Sequence, residues 1–175
     1  MHLCSAPPNV GGALHGDVMT KTLLSIDRIL HDFFGAKLAH AKGLTRTRIE
    51  EVERHLRVCL EAEAPRILVS RDLVILAAER EFGHEGAVAR TMSASDLIFV
   101  LPLFTVAPWL PDDVVQRRVH LTLVDALTAN VIGRRLIDPD ELCCPLLDLR
   151  YALDSGRAKL RMERKQMAAE RATLR

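Results

Sequence analysis

The amino-acid sequence predicts an all-α fold, a single bundle of about six helices. Apolar residues recur at three- and four-residue steps through most of the chain, which is the spacing of amphipathic helices. Hydrophobic residues make up 49% of the composition but aromatic residues only 4%, so the core must consist mainly of Leu, Val, Ile and Ala. Candidate caps and stops divide this pattern. We expect a flexible leader at 1–18, a helical core domain at 19–148 and a basic C-terminal helix at 149–175.

Two helices are predicted after the leader. The leader is rich in Pro and Gly and has no apolar period, which is typical of a flexible segment. From Lys21 an apolar stripe predicts a first helix that stops near Gly43. Thr47 stands three residues before Glu50, the spacing of a capping box, and predicts the start of a second helix. Pro65 is expected to end that helix.

The middle of the chain predicts two more helices. The third runs from Ser70 to Gly83, with a serine at its start and a glycine stop. Residues 83–91 are expected to form a loop. Ser93 and Ser95 are candidate caps for a fourth helix, which is apolar nearly all round and is therefore expected to be central. Pro102 should kink or shorten it.

A fifth helix and a short sixth helix follow. Asp112 and Asp113 place negative charge at the start of the fifth helix, where the helix dipole favours it, and Gly133 marks its end. Asp138 and Pro139 are a capping residue and a first-turn proline, a pair typical of a helix start. They predict the short sixth helix.

Apolar residues fall seven apart in the C-terminal segment, as along one seam of a coiled coil: Leu146, Leu153, Leu160, Met167 and Leu174. The companion positions three residues later do not continue a second apolar row: Leu149, Gly156, Glu163 and Glu170. A long zipper is therefore not expected. Leu153, Leu160 and Met167 are candidates to bury against a partner, and packing against the chain's own body is the alternative.

No motif in the sequence indicates catalysis. The four cysteines lack the spacing of a zinc site and are expected to be reduced thiols of a cytoplasmic protein. Paired metal-binding histidines, a phosphate-binding glycine loop and a glycine-flanked nucleophile are absent from the sequence. We therefore predict a protein that is not an enzyme, with no catalytic residue, metal site or cofactor. The longest apolar run, Leu97 to Leu110, is too short to span a bilayer, so no membrane partner is expected.

Basic residues are the remaining candidates for a binding site. The net charge is +1, but residues 157–175 carry seven Lys or Arg and two Glu. A second basic cluster surrounds the turn into the second helix, where free backbone N–H groups and cations together can hold a phosphate. Solvated surface charge is the alternative interpretation. The candidate nucleic-acid-binding residues are Lys42, Arg46, Arg48, Arg117, Arg118, Arg134, Arg135, Arg157, Arg161, Arg164 and Lys165.

The order of three short motifs resembles a known family. A basic turn from Lys42 to Thr47 precedes the second helix, and Ser95 to Leu97 precede an apolar helix. The pair Arg117 and Arg118 leads to a segment from Gly133 to Pro139. This order is similar to the N-terminal core-binding domain of tyrosine recombinases, the SAM-like domain of phage integrases. The resemblance implies a helical DNA-associated module. It implies no strand cleavage, because Tyr151 lacks the downstream-spaced Arg and His residues that such catalysis requires.

The sequence thus predicts a non-enzymatic module that binds the phosphate backbone of DNA through basic turns and its basic C-terminal helix. Two alternatives remain open. One is a protein-interaction or self-associating helical module that uses the apolar row of the C-terminal helix. The other is an apolar ligand site between helices around Phe99, Phe104 and Trp109.

Overall fold

The computed structural model describes residues 24–173, with side-chain surroundings through residue 170. The expected leader at 1–18 and the first residues of the predicted first helix lie outside the described residues. Between residues 24 and 173 the chain forms helices and no β-strand, which confirms the predicted all-α fold. The seven helices are α1 (Ile26–Ala39), α2 (Gly43–Ile67), α3 (Ser70–Phe82), α4 (Ala87–Thr91), α5 (Ala94–Phe104), α6 (Val114–Gly133) and α7 (Cys143–Thr173).

Two of the predicted helix starts are confirmed by their caps. The backbone N–H of Ser93 donates to Oδ2 of Asp96 at 2.8 Å, which is the return bond of a capping box, and the Ser93 hydroxyl donates to the same oxygen at 2.7 Å. Oδ1 of Asp113 accepts from the backbone N–H of Gln116 at 2.7 Å, which satisfies one of the free donors in the first turn of α6. The predicted end of α6 at Gly133 is also confirmed.

The predicted bounds of α2 are wrong at both ends. The helix begins at Gly43 rather than Thr47, and Gly43 has a φ of +53°, a left-handed conformation that glycine adopts without strain. Thr47 lies inside the helix, where its hydroxyl donates to the carbonyl of Gly43 at 3.5 Å. Pro65 does not end α2. The proline lacks an N–H group, so the helix loses one hydrogen bond at this position, but it continues beyond it: the backbone N–H of Leu68 donates to the carbonyl of Ala64 at 3.0 Å.

Two short segments also differ from the prediction. The predicted loop at 83–91 contains α4, whose apolar residues 87–89 are buried. Oε1 of Glu61 accepts from the backbone N–H of Val88 at 2.9 Å, and its Oε2 accepts from Arg80 of α3 at 3.3 Å, so one carboxylate of α2 holds both α3 and α4. The predicted short sixth helix is a turn. Asp138 caps it as expected, accepting from Asp140 N–H at 2.9 Å, but α7 begins directly afterwards.

One continuous core runs through the bundle. As predicted, α5 is central: its apolar side chains are buried on nearly all sides, and it packs against α2 and α7. Leu149, Leu153 and Leu160 of α7 are buried in the same core. The first half of α7 is therefore a structural part of the bundle.

Candidate nucleic-acid interface

Helices α6 and α7 run antiparallel. Nη1 of Arg117 donates to Oε1 of Glu163 at 2.7 Å, and further along the two helices Nη2 of Arg157 donates to Oδ2 of Asp125 at 2.7 Å. Gly156, next to Arg157, faces Leu121 so closely that a Cβ on the glycine would lie 2.9 Å from a Leu121 methyl carbon. The missing side chain therefore allows the two helices to approach each other closely.

A shallow groove of about 200 Å³ lies along this contact, and we call it the arginine groove. Four of its eight lining residues are arginines and none is acidic. Arg157, Arg161 and Arg164 are spaced four and three apart, so they form one stripe of α7, and Arg118 faces them from α6. The remaining lining residues are Val114, Leu121, Thr122 and Leu160.

The charges in the arginine groove are mostly uncompensated. Across the described part of the chain, Arg118, Arg161 and Arg164 form no ion pair, whereas Arg157 is held by Asp125. Like charges gathered without carboxylates repel one another, and an anion bound between them relieves that repulsion. The groove therefore has the electrostatics of an anion site. Lys165 is exposed on the adjoining turn of α7.

The basic turn before α2 lies beside the start of α6. Nε2 of Gln116 donates to the backbone carbonyl of Arg48 at 3.1 Å, only two residues from Arg118 along α6. Lys42 precedes the helix, and the first turn of α2 carries neither a side-chain cap bond nor an acidic residue. Arg46 differs, because its Nε donates to Glu50 at 2.8 Å. The backbone of Arg48 thus lies near the start of α6, but Gln116 and Arg118 point about 200° apart on that helix, and neither Lys42 nor Arg48 lines the arginine groove.

Arg134 and Arg135 lie at the opposite end of α6. Sixteen residues of helix separate Arg134 from Arg118, which is about 24 Å at the helical rise per residue. Arg134 is also bound to Asp32 of α1 at 3.4 Å. Arg117 belongs with the paired residues as well, since its guanidinium contacts Glu163 and the backbone carbonyls of Pro111 and Asp112. The eleven candidates therefore do not form one surface.

The three candidate partner-binding residues of α7 do not share one surface either. Leu153 and Leu160 are buried in the chain's own core, and Met167 is 41% exposed. In this fold a partner can reach Met167 but not the two leucines. Packing against the chain's own body was the alternative prediction, and both leucines do pack into the chain's own core.

The three aromatic residues considered for an apolar site are also separated. Phe99 is exposed on α5, whereas Phe104, five residues and so about 140° further round the helix, is fully buried. Nε1 of Trp109 donates to Glu63 at 3.1 Å. A different apolar groove, of about 600 Å³, lies between the second half of α6 and the first half of α7 and includes Ile132 and Leu146. Sequence spacing gave no signal for it.

Two buried titratable groups lie away from the arginine groove. Nε2 of His120 donates to the backbone carbonyl of Phe104 at 2.9 Å, the ring stacks on the Phe104 ring, and Nδ1 has no partner. Burial lowers the pKa of His120 to about 4. Burial raises the pKa of the Cys59 thiol to about 12. Both groups are therefore neutral near pH 7, and the thiol is a poor nucleophile.

Among the residues that the structure describes, no cluster of three His, Cys, Asp or Glu side chains is arranged to hold a metal ion. Between residues 24 and 173 no helix has the length and apolar character needed to cross a membrane. No family model matches the chain, and the comparisons found neither a curated protein nor a solved structure that is similar to it.

Proposed function

We propose that this protein is a non-enzymatic module that binds the phosphate backbone of duplex DNA through the arginine groove between α6 and α7. One observation carries the proposal: four guanidinium groups surround a single groove whose lining contains no carboxylate. Arg48, whose backbone lies near the start of α6, adds positive charge to the part of the protein from which the groove begins.

Arginine suits this role because its planar guanidinium matches the geometry of a phosphate and keeps its charge at any physiological pH. The stripe from Arg157 to Arg164 spans about 10 Å of helix, whereas one DNA strand places a phosphate at about every 3.4 Å of its axis. The stripe is thus long enough to follow several phosphates. Such contacts fix a protein on the duplex without reading its sequence.

The four arginines of the groove have different proposed roles. Arg118, Arg161 and Arg164 have no ion pair in the described chain and are free to contact phosphates directly. Arg157 is oriented by Asp125 at 2.7 Å and closes one end of the groove. Lys165, Lys42 and Arg48 contribute longer-range attraction, which salt screens.

Fluorescence anisotropy with a labelled random-sequence duplex at two salt concentrations tests the proposal. If Arg118, Arg161 and Arg164 each neutralise one phosphate, replacing all three by alanine makes the plot of log binding constant against log salt concentration less steep by about 2.7. This difference in slope means that, between about 50 and 200 mM salt, the wild-type protein loses about 40-fold more affinity than the variant does. The matched control replaces Arg28, Arg54 and Arg66, which pair with acids of their own helices, by alanine and changes the net charge equally.

The control variant should keep most of the salt slope of the wild-type protein. An equal loss in both triple variants would mean that net charge, and not the groove, attracts DNA. Absence of wild-type binding at 50 mM salt would remove the proposal altogether. Binding to an acidic polypeptide but not to DNA would assign the groove to a protein partner instead.

A further inference from the structure

The outward face of α3 is apolar and has no partner within the described chain. Leu76 is the one residue of this helix that is buried, whereas Val74 is 70% and Phe82 is 90% exposed. Ile75 is also exposed, as are both central alanines. Isolated apolar residues on a surface are ordinary, but a contiguous apolar face on one helix is typical of an interaction surface.

The exposed residues form a regular stripe along α3. Arg71, Val74, Ala78 and Glu81 are spaced three, four and three residues apart, the seam of a helix that pairs with another helix. They lie opposite Leu76 at 100° per residue, which agrees with their exposure. Arg71 and Glu81 end the stripe with opposite charges, and within residues 24–170 neither has an ion pair.

This stripe is complementary to itself when reversed. In an antiparallel pair centred on position 76, Arg71 of each copy faces Glu81 of the other, and Val74 faces Ala78. Two ion pairs then flank two apolar contacts, and the small alanines let the helix backbones come close. A two-fold axis makes the same patch serve both copies, as in most protein dimers.

We propose that α3 is a self-association surface, through which two copies of this chain pair antiparallel about a two-fold axis. The occupant is a second copy because the opposite charges at the two ends of the stripe complement each other when the helix is reversed. A single helix of 13 residues buries less than the roughly 1,200 Å² of a stable interface, so the dimer is weak and depends on concentration.

Sedimentation equilibrium from about 5 to 500 µM tests the pairing at a range suited to a weak interface. The wild-type chain should shift from monomer to dimer across that range, and Val74→Glu should remain monomeric. The matched control, Val115→Glu, places the same charge at an exposed valine of α6 and should dimerise as the wild type does. All these side chains are exposed, and circular dichroism verifies that each variant is folded.

A charge exchange tests the register. Arg71→Glu places like charges opposite each other twice and should weaken dimerisation about tenfold. Adding Glu81→Arg to Arg71→Glu restores an opposite charge pair at each of these contacts, with the two charges exchanged. This double variant should dimerise as the wild type does. A double variant as weak as the single one would refute the antiparallel register.

A wild-type chain that stays monomeric at all concentrations overturns the proposal. So does a Val74→Glu variant with a lowered melting temperature and no change in mass, which would point to a segment of the same chain as the occupant. DNA binding by Val74→Glu should equal that of the wild-type monomer, because the substitution leaves the arginine groove intact. The two proposals can therefore fail independently.

Discussion

Acidification should destabilise the bundle through His120. The imidazole is fully buried in α6, its Nε2–H donates to the carbonyl of Phe104, and its Nδ1 has no partner. A second proton on Nδ1 would place a charge in the core with no acceptor to receive it. Burial, with a smaller contribution from His55, therefore lowers the pKa of His120 to about 4.

The size of the effect follows from the two pKa values. The unfolded chain takes up a proton at this residue below about pH 6.5, whereas the folded chain does so only below about pH 4. Between these values the unfolded state binds more protons, so the free energy of unfolding decreases as the pH falls. The complete loss is about 3 kcal/mol, of which about 1 kcal/mol is lost between about pH 7.5 and 5.5, before most carboxylates protonate.

Urea unfolding at these two pH values measures the loss. His120→Gln keeps an N–H group that can donate to Phe104 but does not titrate, so its free energy of unfolding should fall about 1 kcal/mol less than that of the wild type. His31→Gln, at an exposed position of α1, should behave as the wild type does. An equal pH response of His120→Gln and the wild type would refute the reasoning.

Three further substitutions test the packing. Gly156→Leu should lower the free energy of unfolding by about 1 to 3 kcal/mol, because the new side chain meets Leu121; an unchanged urea midpoint would contradict that contact. Ser93→Ala should cost about 1 kcal/mol by removing one side of the cap with Asp96, and an unchanged melting temperature would show that the cap is dispensable. Burial raises the pKa of Cys59 to about 12, so a thiol-specific reagent should modify as many thiols in folded Cys59→Ser as in the folded wild-type protein. One fewer modified thiol in the variant would contradict the burial of Cys59.

The sequence predicted the helices better than it predicted the use of their faces. In α7 the apolar row at Leu153 and Leu160 was a candidate for a partner, yet it fills the chain's own core. The row that seemed to fail, at Gly156 and Glu163, instead forms the contact with α6. A glycine and a glutamate interrupt any hydrophobic period, so periodicity cannot recognise a contact made by close approach and by an ion pair.

At the candidate site, the sequence likewise could not predict which charged side chains are paired. Arg117 and Arg118 are adjacent in sequence, but one is bound to Glu163 while the other lines the arginine groove without an ion pair in the described chain. Neighbouring helical residues point about 100° apart, and the partner of Arg117 comes from a residue 46 positions away on another helix. Arg157 and Arg164 were candidates from the basic composition of the C-terminal helix. Their alignment with Arg118 depends on the antiparallel register of the two helices.

Pairing Arg117 with Glu163 carries α7 past the start of α6, and every side chain from Arg164 to Glu170 is exposed. With no side chain buried there, these turns can open without unfolding the bundle, and their amide hydrogens should exchange much faster than those beside Leu149. A polyanion that occupies the groove would slow exchange in these turns and leave the core amides unchanged. The end of α7 thus offers a local readout of occupancy that is separate from global stability.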